Sequence, residues 1–214
     1  MKKRLFKKVA EKIFIIFLLL IFVIIVADRS IGKTGQNILL NSDFEEGMAH
    51  LAFWEVEGGA TVIWTLPWHT YRTPWSFGVG NDLDWAQDNA YGRCFQVLRN
   101  PENSEELYPV TPGEIFTFKM WMMTEEGYRG KAFLRIEFFD YDRRMGFFGK
   151  PLASFQSKIH TGEVTWKWFE ESVRATAPEG AVSVVVSCVS EDMERGSKYV
   201  FFDSGVVITK ILFI

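Results

Sequence analysis

Histidines, cysteines and paired carboxylates carry most enzyme chemistry, and here their spacing argues against it. His50, His69 and His160 are scattered, with no HExxH or His-x-His arrangement for a metal. No Gly-x-Ser-x-Gly turn would present a nucleophilic serine. Cys94 and Cys188 have neither a CxxC partner nor a histidine close in sequence. The densest acidic run is Glu137-Phe-Phe-Asp140-Tyr-Asp142. Glu137 and Asp140 stand three apart, so a regular strand sends them to opposite sides. They cannot then flank a scissile bond as the carboxylate pair of a glycosidase. The chain reads as non-enzymatic.

Aromatic rings beside planar polar side chains offer binding chemistry instead. All eight tryptophans lie beyond residue 50, five of them between 54 and 85. A ring stacks on an apolar ligand face while a neighbouring Arg, Lys or Glu meets the polar rim. Two groupings are candidates. One is a strand face bearing Lys119, Trp121, Arg135 and Glu137; the other is a loop region with Trp54, Trp68, Tyr71, Trp75, Trp85 and Tyr91. Large aromatic patches of this kind also dock proteins, which gives a structural or envelope-assembly role as the alternative.

The elements that must position these side chains read as strands. No stretch beyond Asn37 sustains a 3.6-residue apolar period, and short β-rich runs alternate with Gly, Pro, Asn and Asp. Strands are expected near 37–41, 60–65, 93–98, 114–123, 132–140, 166–175, 181–189 and 198–209, with 64–92 as a long loop. Turns are expected at Thr111-Pro112-Gly113, Asp142-Arg143-Arg144, Thr161-Gly162 and Pro178-Glu179-Gly180. This predicts an all-β antiparallel sandwich. Alternation assigns Phe116, Phe118, Met120 and Met122 to the core with Leu134, Ile136, Phe138, Val184 and Val186. Phe95 and Val97 also read as core-facing, which turns Cys94 outward and opposes a disulfide to the inward Cys188.

The average charge conceals a divided chain. Net charge is −3, yet residues 1–12 hold Lys2, Lys3, Arg4, Lys7, Lys8 and Lys12 against Glu11 alone. Without those six cations and one anion the remainder stands at −8, and with a pI of 5.7 a nucleic-acid partner is not expected. Ile13 to Ala27 is wholly apolar, about 22 Å as a helix. A basic head before such a run is an export signal or a signal-anchor helix, with the head cytoplasmic and the rest exported. The expected organisation is a basic head at 1–12, a membrane anchor or signal peptide at 13–27, a linker at 28–36 and one domain at 37–214.

Four blocks along that domain resemble carbohydrate-binding modules of families four and nine. The opening Asn37-Ile-Leu-Leu-Asn41-Ser-Asp-Phe44-Glu45, with Trp54 soon after, is similar to the family's first strand. Val110-Thr-Pro-Gly-Glu-Ile-Phe-Thr-Phe118, then Trp166 through Ala177-Pro-Glu-Gly-Ala181, then Tyr199-Val-Phe-Phe-Asp203, follow in the family's order. The resemblance implies a galactose-binding-like jelly roll that binds a polysaccharide, its pyranose rings stacking on the aromatic groupings above. It also implies a structural Ca²⁺ at Glu45 and Asp203. The second Asp of the family's final motif is Ser204 here, and its Asn-Gly is Asn41-Ser42.

Overall fold

The computed structural model describes residues 36–46, 51–64, 69–72, 74–83, 86–145, 149–162 and 165–211. The expected head and anchor at 1–27 lie outside the described residues. Gly35–Ile214 cluster as one compact unit. Its described residues form two five-stranded sheets whose strands pair antiparallel. The first runs in the order β1 (Glu55–Gly58), β4 (Ala90–Val97), β11 (Ser183–Met193), β8 (Lys131–Phe139), β9 (Ala153–Gln156). The second runs β10 (Phe169–Thr176), β7 (Ile115–Thr124), β12 (Ser197–Lys210), β3 (Phe77–Asn81), β2 (Thr61–Trp64). A small hairpin, β5 (Arg99–Asn100) with β6 (Asn103–Leu107), stands apart.

The core lies between the sheets and follows the period-two alternation of each strand. Phe116, Phe118, Met120 and Met122 of β7 are fully buried, as are Leu134, Ile136 and Phe138 of β8. Phe116 and Phe138 meet edge to face at 5.6 Å, one ring from each sheet. The β-sandwich is the expected one. The β-rich runs and the parity of β7 and β8 sufficed because each strand is apolar on one side and mixed on the other.

Three expectations are corrected. Residues 37–41 form no strand: Asn37 and Asn41 divert the backbone. Asn37 Oδ1 accepts the N–H of Leu39 and of Val207, and Asn41 sits at a positive φ of 44° in a turn. Side chains thus replace ladder bonds. The long loop expected at 64–92 contains β3, whose two glycines in five residues masked it. Gly80 is required there, since a Cβ would stand 2.6 Å from the Tyr199 ring.

The third correction concerns the cysteines. Cys94 faces the core, directly opposite Cys188 in the β4–β11 register, and both thiols are free. Burial pushes both thiols well above the ordinary range. Phe95 and Val97 point the other way, where they pack with Phe139 and Val185 beneath Leu107 and Tyr141. A strand apolar on both parities cannot be oriented by alternation alone.

Candidate functional site

The outer face of the first sheet carries an arginine–carboxylate layer over buried rings. Register places Glu57, Arg93, Val189 and Phe133 in one row, and Phe95, Ser187, Arg135 and Gln156 in the next. Arg93 donates from Nη1 to Glu137 at 2.7 Å, and from Nε and Nη2 to Glu57 at 2.9 and 2.6 Å. Its guanidinium lies 4.6 Å from the Phe95 ring centre, and that of Arg135 lies 4.9 Å from Phe133. Arg93 and Glu137 are buried, so the pair is a desolvated ion pair whose members depend on each other. Burial opposes the charge on Arg93, but Tyr91, Glu57 and Glu137 outweigh it and hold the guanidinium above its ordinary range.

Two polar atoms on this face lack partners. Ser187 Oγ and Arg135 Nε are buried without a hydrogen bond among the described residues. They are register neighbours on β11 and β8. The nearest charge to Arg135 is Glu191, at 3.7 Å. Both unpaired atoms are shut off from solvent.

Tyr91 stands at the start of β4, two residues before Arg93 and hence on the same face. It is half-buried and lines a groove of about 360 Å³ with Gly59, Gln87, Asp88 and Asn89. Gln87, Asp88 and Asn89 are exposed. Burial pushes the Tyr91 phenol above its ordinary value of 10, so it remains a neutral donor near pH 7. Gly58 makes the close approach of β1 possible. It adopts φ +117°, and a Cβ there would stand 2.2 Å from the Tyr91 carbonyl oxygen.

The outer face of the second sheet is aromatic. Trp121 of β7 lies in register between Glu170 of β10 and Asp203 of β12. Tyr71 stacks on Trp121 at 3.9 Å and 17°. Arg72 reaches over Tyr71 at 5.0 Å, and Trp168 flanks it at 5.9 Å. His69 stacks on Phe201 and on the exposed Trp166. Lys119 pairs with Glu170 at 2.8 Å on the exposed rim. A groove of about 460 Å³ opens beside Trp121, lined also by Ser42, Asp43, Arg72, Glu170 and Ser204.

The grouping of Lys119, Trp121, Arg135 and Glu137 on one face is therefore corrected. Lys119 and Trp121 belong to the second sheet, Arg135 and Glu137 to the first, on opposite outsides of the sandwich. Consecutive strands β7 and β8 cross between sheets, which within-strand parity cannot reveal. The loop grouping is divided as well. Trp54 is a core residue, 5% exposed, packed on Phe44 and donating from Nε1 to the Asn41 carbonyl at 2.9 Å. Trp75 is half-buried. Trp68 and Trp85 lie outside the described residues. Arg93, Glu57, Ser187, Arg72, Glu170 and Trp168 were not anticipated. The pairing of Trp166 with Trp168 across one residue was the available signal for the last.

Glu45 and Asp203 do not fit calcium as they are arranged. Asp203 is fully buried, and its Oδ2 accepts the N–H of Tyr71 at 2.7 Å and of Arg72 at 3.4 Å. Its Oδ1 accepts the Ser204 hydroxyl at 3.1 Å. Glu45 Oε1 accepts the N–H of Trp75 at 3.0 Å. Calcium needs six to eight oxygen ligands around it, whereas N–H and O–H donors face these carboxylates. Among the described residues no group of three or more His, Cys, Asp or Glu could hold a metal ion. The two carboxylates clamp the backbone N–H groups of Tyr71, Arg72 and Trp75.

No known protein-family profile matches the chain, and no curated protein matches it. Solved structures do. The CBM22-1 xylan-binding domain from Paenibacillus barcinonensis Xyn10C is similar at a TM-score of 0.56 and 16% identity, covering 85% of this chain and 99% of that one. TmCBM61, solved with β-1,4-galactotriose, is similar at 0.51 and 17% identity, covering 82% and 100%. Bacteriophage CBA120 tailspike protein 4 is similar at 0.54 and 14% identity over 81% of this chain, but this chain spans only 21% of that one. At these identities the likeness is one of fold. The chain has the β-sandwich fold found in carbohydrate-binding modules, and the two modules named belong to families 22 and 61 rather than four and nine.

Proposed function

We propose that this protein is a non-catalytic carbohydrate-binding module, held outside the cytoplasm by residues 13–27 and binding a polysaccharide on the outer face of its first sheet. One observation carries the reading. Tyr91 lines a groove with exposed Gln87, Asp88 and Asn89, beside the face whose Ser187 Oγ and Arg135 Nε lack partners. A half-buried ring takes the apolar face of a pyranose, and planar amides and carboxylates take its hydroxyls. Arg93, two residues from Tyr91 on the same face, is locked to Glu137. The fold shared with a xylan-binding domain and with a module solved on a galactan trisaccharide supports the ligand class.

The test is affinity electrophoresis of the full chain through gels carrying xylan, β-1,4-galactan, and fungal and bacterial polysaccharides. Retardation by at least one neutral polymer is expected. Free mobility in every gel would end the reading.

A further inference from the structure

The geometry points to a second saccharide site on the outer face of the second sheet, in the groove beside Trp121, so that one module bridges two glycan chains. The ligand class rests on the glycan reading above; the site itself rests on separate residues. The groove of about 460 Å³ is larger than the one at Tyr91 and combines an indole with Arg72, Asp43 and Glu170. These are the parts a sugar needs: a ring for stacking, and charged planar groups for bidentate hydrogen bonds to vicinal hydroxyls.

The site is also built to be rigid. Tyr71 backs Trp121 at 3.9 Å, nearly parallel. Asp203 holds the backbone of Tyr71 and Arg72, and Glu45 holds that of Trp75. Lys119 fixes Glu170. Prearranged side chains lose little entropy when a ligand arrives, which is how a shallow groove gains affinity. A purely structural role for the clamp needs Tyr71 and Asp203. It does not require Arg72 and Glu170 to line a groove with the indole.

The two grooves share no lining residue: one lies where β3 leads into β4, the other on the outer face of the second sheet. A short oligosaccharide fills them independently, and a polymer is cross-linked. Calorimetric titration of the full chain with xylohexaose and with β-1,4-galactotriose tests this. Two molecules per chain are expected with at least one of them. Arg72→Ala combined with Glu170→Ala, both on the groove's rim, lowers the count to one. Trp121→Ala does the same, and the rim variant serves if Trp121→Ala fails to fold. Tyr91→Ala also lowers the count to one, and either change abolishes turbidity with the matching polymer. One molecule per chain, lost in Tyr91→Ala and unaffected by the rim variant, would overturn the second site and leave the glycan reading intact. One molecule lost only in the rim variant would overturn both the bridging and the Tyr91 face. No binding of either oligosaccharide or of any polymer would remove the ligand class itself.

Discussion

On the outside of the first sheet, guanidinium groups lie on aromatic rings and carboxylates lock the guanidiniums. On the outside of the second, rings lie on rings and carboxylates lock backbone N–H groups. The same residue types therefore stabilise the two faces by different means. Arg93 and Glu137 are buried together and are strong only as a pair. Lys119 and Glu170 remain exposed and contribute little. The first face leaves Ser187 Oγ and Arg135 Nε unpaired, whereas the second places donors on its buried Asp203. The two unpaired atoms of the first face are shut off from solvent. On the second, completed hydrogen bonding makes a stiff wall for the groove beside Trp121.

Truncating the two ion pairs gives the sharpest contrast. Arg93→Ala strands Glu137 in a buried site and is expected to cost about 3–5 kcal/mol in urea unfolding. Lys119→Ala is expected to cost less than about 1 kcal/mol. Equal losses would break the distinction between the faces.

The clamp comes next. Asp203→Ala leaves the Tyr71 and Arg72 N–H groups without their acceptor, a loss of about 2–3 kcal/mol, with a change in tryptophan emission as Tyr71 leaves Trp121. The wild-type melting temperature should be the same in calcium and in EDTA. A rise on adding calcium would show that the carboxylates bind metal after all.

Ser187→Ala should leave stability within about 1 kcal/mol of wild type, because an unpaired buried hydroxyl contributes nothing to lose. Polysaccharide affinity should be unchanged as well, since the hydroxyl is shut off from solvent. A several-fold loss of binding would show that the face opens to admit a ligand.

The smallest effect is alkaline. Burial raises the Tyr91 phenol above 10, and burial raises those of Tyr108 and Tyr128 too. The folded state keeps its protons while the unfolded chain begins to ionise near 10. Their contribution is thus complete below pH 10 and is lost as pH rises beyond it. Phenolate absorbance should lag that of the urea-unfolded chain, with Tyr91→Phe removing one share.

How much of this was legible depended on whether a strand was one-sided. Strands β7 and β8 announced their core residues because Phe116, Phe118, Met120 and Met122 alternate with Thr117, Lys119 and Trp121. Strand β4 could not, since Cys94, Phe95 and Val97 offer apolar side chains on both parities. The fold was readable because it needs only period two and turns. Of the candidate residues, Tyr71, Tyr91, Trp121, Arg135 and Glu137 lie on outer faces. Their grouping was not legible, because crossing from β7 to β8 exchanges one sheet for the other. Trp54 was misread for a related reason. Its core position depends on Phe44 and Asn41, which a turn brings beneath it.

The central claim is that Tyr91 forms a polysaccharide platform on the first sheet. Its most direct measurement is the mobility of Tyr91→Ala beside wild type in a gel carrying the polymer that retards wild type. The account predicts wild-type retardation and, for a Tyr91→Ala chain with an unchanged far-ultraviolet spectrum, free migration or at least a tenfold weaker interaction. Equal retardation of the two would contradict it.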